Sequence, residues 1–235
     1  MKLTSNTLIK NGMPFVDLVL RSAEPFMDEM IITVSRKSTD ESLKVVEKFA
    51  KDFPEKVFVD FEDVKEPKEL TQVRQNQLDK STGDWILFLD SDDYWPKDRL
   101  SYVISCLNNG YDGLSVSPFQ VIDKEHYERQ WTHMGFTKFF RKQPGVHYEG
   151  NFPRDLIYKD EKMLYWKTNE RVPMIPCMFY HLSHLKNYSF RNEPWAKNEF
   201  EQKVGALLSF DEINKEDVEN IFKCIEDYEH TRSNK

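Results

Sequence analysis

The stretch Ser81-Thr82-Gly83-Asp84-Trp85-Ile86-Leu87-Phe88-Leu89-Asp90-Ser91-Asp92-Asp93 carries the signal on which the fold turns. Trp85 to Leu89 is apolar without interruption, as a strand covered on both faces should be. Gly83 ends the helical pattern that precedes it, Leu70 to Ser81. The apolar run then delivers three carboxylates within four positions: Asp90, Asp92 and Asp93. Such crowding is unfavourable unless something cationic compensates it. A hard divalent cation, Mg²⁺ or Mn²⁺, completed by waters and diphosphate oxygens, suits oxygen ligands of this kind. The competing explanation is an acid-rich helix start, since Pro96 opens a helical stretch that runs to Leu107.

Working upstream, the same strand-then-helix unit recurs. Thr7-Leu8-Ile9 leads to a helix from Pro14 to Ala23, with proline in its first turn. Met30 to Val34 is β-branched and ends at Ser35; Thr39-Asp40 then caps a helix bearing Leu43, Val46 and Phe49. Lys56 to Phe61 is a third strand. The strand ends fall about 30 residues apart, the length of a βαβ unit. The fold class is therefore α/β, with a mostly parallel central sheet and helices on both faces. Ligands of such sheets sit beyond the carboxyl ends of the strands, which singles out Lys10, Asn11, Ser35, Asp60 and Asp90.

Downstream the texture changes. Gly113 to about Phe140 reads as shorter antiparallel strands. Arg171 to His181 reads as an extended segment kept at an edge or bulge by Pro173 and Pro176. Ser189 to Lys203 and Asp211 to Tyr228 read as helices, the second with Val218, Ile221, Phe222 and Ile225 on one stripe, and His230 to Lys235 as a frayed tail. The chain is read as one integrated domain of two halves, a ligand-binding α/β half over 1–110 and a smaller antiparallel and helical half over 111–235.

A net charge of −7 weighs against nucleic acid as the main partner. No apolar run approaches the ~20 residues of a transmembrane helix, and the first residues lack a signal-peptide pattern. Cys106, Cys177 and Cys224 are odd in number and widely spaced, which fits a reducing, cytoplasmic setting. Arg141-Lys142 offers either a phosphate contact or ordinary solvated surface.

The quoted stretch, with Arg74 before it, resembles the family-2 glycosyltransferases of the A-type fold, in which an Arg-Asn helix precedes Gly-Asp-aromatic, an apolar strand and Asp-x-Asp. Ile9-Lys10-Asn11 and Ser38-Thr39-Asp40 are similar to the family's first two strand-end turns. Phe139-Phe140-Arg141-Lys142, Tyr148-Glu149-Gly150 and Phe179-Tyr180-His181 are similar to later segments of some bacterial members. The resemblance implies a Rossmann-like sheet and inverting, metal-assisted transfer of a sugar from a nucleoside-diphosphate sugar, usually UDP-linked. Asp90 and Asp92 would hold Mn²⁺ or Mg²⁺, with His181, or else His184, as the late ligand. Lys10, Asn11, Ser35, Asp60, Arg74 and Ser91 would line the donor. The acceptor would be a glycan or glycolipid by family habit, with protein and modified nucleic acid as alternatives. Asp155 and Glu149 are the candidate bases for deprotonating it.

Three positions depart from the pattern. Ser35 stands where an Asp usually meets the nucleobase, Gln75 follows Arg74 in place of Asn, and Pro153-Arg154 replaces a His-Glu pair. These departures keep a second reading in play, a binding module on the same fold. An aspartyl-phosphate phosphatase also uses Asp-x-Asp, but after the first strand and not the fourth.

Overall fold

The computed structural model describes residues 1–63, 67–108, 110–123, 126–129, 136–150, 156–185, 208–209 and 214–233. Four parallel strands form the first part of the sheet: β1 (Leu3–Ile9), β2 (Glu29–Ser35), β3 (Val57–Glu62) and β4 (Trp85–Phe88), in spatial order β4-β1-β2-β3. Their connections are α1 (Val16–Ala23), α2 (Ser42–Asp52) and α3 (Pro67–Lys80). The α/β reading with a mostly parallel centre therefore holds. Asp40 has a different task from simple capping. The helix starts at Ser42, and the Asp40 carboxylate accepts N–H bonds from Ser42 and from Met13 in the first turn region, both at 3.0 Å.

After β4 come β5 (Asp93–Tyr94), α4 (Lys97–Ser105), β6 (Gly113–Val121), β7 (His126–Arg129) and β8 (Phe136–Arg141). The antiparallel strands expected here do not form a separate layer. β8 inserts between β4 and β6, antiparallel to both, so the central sheet continues across residue 110. β6 is also nine residues long, longer than expected, because every one of its positions is buried. A separate three-stranded sheet contains β9 (Val146–Glu149), β10 (Leu156–Lys159) and β11 (Lys162–Met163). β12 (Met174–His181) runs parallel to β6, and its register shifts between Ile175 and Phe179, at the expected proline bulge. β13 (Leu208–Ser209) pairs with β7, and α5 (Lys215–Ser233) is the last element. The segment Ser189–Lys203 lies outside the described residues. The tail expected to fray from His230 instead continues α5 to Ser233.

Alternation along β4 builds a core on each face. Trp85 and Leu87 enter the large core with residues of α1, α2, α4 and α5, whereas Ile86 and Phe88 meet Leu78 of α3, Phe140 and Tyr148 on the other side. This is why an uninterrupted apolar strand is required at this place.

At the amino edge of the sheet, Gly83 packs on β1. Its N–H donates to Thr4 Oγ1 at 2.9 Å, and a Cβ there would lie 2.7 Å from the Thr4 backbone nitrogen. Backbone cannot yield as a flexible side chain would. We expect Gly83→Ala to cost about 1–3 kcal/mol by overpacking, lowering the melting temperature by roughly 2–12 °C in a thermal denaturation assay.

α5 docks through Asp217, a buried carboxylate that accepts hydroxyl bonds from Tyr94 at 3.0 Å and Tyr180 at 3.5 Å. Burial raises its pKa above the ordinary carboxylate value, and the Tyr94 bond, the Arg99 charge and the Tyr180 bond only partly offset this. A raised folded-state pKa means a penalty that is complete above that pKa and vanishes as the pH falls below the unfolded value. Asp217→Asn keeps an acceptor without the charge. We expect it to raise the melting temperature by about 2–4 °C at pH 8, with a smaller gain at pH 4.

Candidate active site

Two loops at the carboxyl edge are knitted together. Asn11 takes a left-handed conformation (φ 50°), which asparagine tolerates better than most residues. Its side-chain oxygen accepts from Thr39 N–H at 2.7 Å, its own N–H donates to Ser38 Oγ at 3.3 Å, and Gly12 N–H donates to Ser42 Oγ at 2.7 Å. Lys10, Asn11 and Ser35 are buried at this edge. Burial, then the neighbouring Lys37 charge, lowers the pKa of Lys10. Ser35 closes β2, and its Oγ accepts from Lys37 N–H at 3.3 Å. The structure thus brings Lys10, Asn11 and Ser35 to one rim, as their strand-end positions predict.

Asp60 is placed differently. Its strand continues to Glu62, and the carboxylate forms an exposed ion pair at 2.6 Å with Lys80, the last residue of α3. β3 runs one residue past its expected end at Phe61, so Asp60 lies two residues before the end of the strand. Arg141-Lys142 also lies elsewhere. Arg141 pairs with Trp85 at the start of β4, and Lys142 reaches backbone oxygens of Asp79 and Ser81, so this pair sits at the opposite edge from the acids.

The acidic cluster is held by a continuous series of charged contacts. Arg74, from the middle of α3, donates from Nη2 to Asp90 Oδ1 at 3.2 Å and lies 3.8 Å from the Phe88 ring centroid. Lys138 of β8 donates to Asp90 Oδ2 at 2.7 Å and to Asp93 Oδ2. Asp93 Oδ1 lies 2.8 Å from His181 Nδ1, and Asp92 Oδ1 lies 3.9 Å from that same nitrogen. Burial alone would raise the pKa of Asp90, but the Lys138 and Arg74 charges outweigh it and hold the group below the usual carboxylate range. Burial works against the Lys138 ammonium too, yet Asp90 and Asp93 raise its pKa. Each ion therefore stays charged through its neighbours.

Backbone pairing explains how residues so distant in sequence meet. β8 is antiparallel to β4, so its first residues lie beside the end of β4, where Asp90 follows. β5 pairs with the end of β12, setting His181 opposite Asp93. Leu182 N–H donates to Asp92 carbonyl at 2.8 Å, and Gln120 Nε2 donates to His181 carbonyl at 2.9 Å. Ser91 is buried within the same turn. Lys138 is the residue that sequence reading missed. A lysine among Phe136, Phe139 and Phe140 in a strand pattern was the available signal.

Asp92, Asp93 and His181 each place a possible ligand atom within 4.8 Å of the others. Asp90 is not in that group; its oxygens face Arg74 and Lys138. His184 belongs to a 3₁₀ turn (Ser183–Leu185), but its side chain lies outside the described residues. Glu149 closes β9 and its Oε1 pairs with His147 Nε2 at 2.7 Å; this contact, then the Gly145 carbonyl, raises the His147 pKa. Asp155 lies outside the described residues. Gly150, the last described residue before it, accepts a bond at its carbonyl from Thr71 Oγ1 at 2.9 Å, one turn of α3 before Arg74.

Among solved structures, the chain is similar to S. aureus TarS 1–349 (TM-score 0.53, 18% identity, covering 78% of this chain and 61% of that one). It is similar also to that protein in complex with UDP-GlcNAc (TM-score 0.55, 18% identity, 80% and 60%). A longer TarS structure matches at TM-score 0.55 and 19% identity, and this chain spans 37% of it. The chain thus spans about three fifths or less of these proteins, and the likeness is one of fold. No curated protein matches it in sequence. The sequence profile described as glycosyl transferase family 2 matches residues 14–188, well over half of the chain, with the acidic cluster, Lys138 and His181 inside it. The chain belongs to glycosyltransferase family 2.

Proposed function

We propose that this protein transfers a sugar from a nucleoside-diphosphate sugar, UDP-linked by preference, to an acceptor hydroxyl with inversion and with help from a divalent metal. The observation that carries the reading is the convergence of Asp92 and His181 at the carboxyl edge of the sheet, beside the knitted loops of Lys10–Asn11 and Ser35–Asp40. Carboxylate oxygen and imidazole nitrogen together suit Mn²⁺, and oxygen-richer completion by a diphosphate suits Mg²⁺. Asp92 and His181 are the residues that would hold the ion, with Asp93 against His181. The metal would supply Lewis-acid neutralisation of the leaving diphosphate.

The remaining roles belong to the chain. Lys10, Asn11, Ser35 and Ser91 line the rim where nucleoside and diphosphate would lie. Arg74 keeps Asp90 in place at the floor. Asp155 or Glu149 would take the acceptor proton, Glu149 after parting from His147. The complex of TarS with UDP-GlcNAc supports a UDP-sugar donor by analogy of fold. The acceptor class is a glycan or glycolipid. We assign the donor to the 1–110 half and the acceptor to the 111–235 half. No helix among the described residues is long and apolar enough to cross a membrane.

Binding of a donor at 100 times its dissociation constant stabilises the folded state by about 2.7 kcal/mol, a rise in melting temperature of roughly 5–10 °C. We expect that rise for UDP-GlcNAc or a related UDP-sugar with Mn²⁺ present. Asp92→Ala should abolish it, and should cut Mn²⁺-dependent UDP release by at least about 100-fold, while Asp60→Ala should change neither. A panel of nucleotide-sugars that leaves the melting temperature unmoved, with Mn²⁺ or Mg²⁺, would refute the reading.

A further inference from the structure

Lys138 is only 3% exposed, and its ammonium lies near three aromatic rings, Phe88 at 4.8 Å, Phe179 at 5.3 Å and Phe136 at 5.7 Å. An ammonium is strongly hydrated, and burying one with its partners is in general no gain over apolar packing. Its placement therefore asks for a reason beyond stability. The bonding supplies one. The four carboxylate oxygens of Asp90 and Asp93 are directed to Arg74, to Lys138 twice and to His181. Of the three clustered acids, Asp92 is the one that does not bond to Lys138.

We propose that Lys138 is a resident cation of the site, a positioning residue that keeps Asp90 and Asp93 turned inward as its own counter-ions. The metal of the proposed reaction, on which this inference rests, is thereby left Asp92 and His181 as its protein ligands. Two ligands hold a divalent ion weakly, and the donor diphosphate must supply the missing oxygens. Metal and donor then bind with mutual reinforcement, and an ion without a donor dissociates. The same bonding fixes the histidine. Nδ1 faces Asp93, and the carboxylate behind it sets the orientation of the ring.

The idea predicts an effect opposite to that of ordinary damage. Removing Lys138 takes a positive charge from beside the metal and releases Asp90 and Asp93 to turn toward it. In Lys138→Met, Mn²⁺ without nucleotide should bind at least about tenfold more tightly than in the wild type, measured by titration calorimetry and by the electron paramagnetic resonance signal of free Mn²⁺. Wild-type affinity for Mn²⁺ should rise at least about tenfold on adding UDP, and in the variant by less than about threefold, as reciprocal coupling requires. A folded Lys138→Met that binds Mn²⁺ no better than wild type overturns the proposal. Should that variant not fold, Lys138→Met/Asp90→Asn restores charge balance and still frees Asp93. Tighter Mn²⁺ binding there supports the proposal, and unchanged or weaker binding overturns it. Failure of the metal reading looks different: the wild type would then bind no Mn²⁺ even with UDP. A gain in either variant would still support the role given to Lys138, and no gain would overturn it.

Discussion

Three carboxylates placed at the end of a strand buried on both faces impose an electrostatic constraint that the surrounding architecture meets. Asp90 and Asp93 would repel each other and resist burial if left to themselves. The sheet answers with cations from two directions. Arg74 comes from the helix that packs beneath the strand, and Lys138 from an antiparallel strand inserted beside it. The histidine comes from a third element, β12, held opposite Asp93 by the short β5 ladder. The insertion of β8 makes sense in these terms. A parallel strand at that position would begin at the far edge, and its first residues could not reach Asp90.

Once this edge is neutralised internally, the rest of the fold presents it. Alternation along β4 fixes a core on either side, so the strand cannot slip by one residue without exchanging Trp85 and Leu87 for Ile86 and Phe88. The loops after β1 and β2 are tied to each other through Asn11, Ser38, Thr39 and Asp40. The proposed donor rim is thus held by side-chain to backbone hydrogen bonds that cross between its two loops.

What could be read in the sequence was local. The β-α spacing, the doubly buried β4, the proline bulge near Pro176 and the acidic turn all follow from periodicity and residue chemistry within some thirty positions. The positions of Lys10, Asn11 and Ser35 at the rim followed from strand ends alone. At the acids the reading fell short because strand partners are not written in short windows. Lys138 was passed over beside the more conspicuous Arg141-Lys142, although antiparallel pairing with β4 puts the former at the acids and the latter at the opposite edge. The residues after His230 are polar but include no helix breaker, and α5 continues to Ser233. Asp93, read as one member of a ligand cluster, has both side-chain oxygens committed to Lys138 and His181.

The bond from Tyr94 to Asp217 has a bearing on how the molecule is assembled. Tyr94 is the residue after Asp93, and Asp217 lies 123 positions further along. Lys138 and His181 meet the acids across gaps of 45 and 88 positions. During synthesis, β1 to β4 emerge with their hydrophobic pattern complete and with Arg74 as the one cation already made for Asp90, while Lys138 and His181 arrive later in turn. The working edge is therefore a product of high contact order, finished only when the last helix is made. An isolated amino-terminal half would keep its sheet-forming pattern and Arg74 but lack Lys138 and His181, the partners of Asp93.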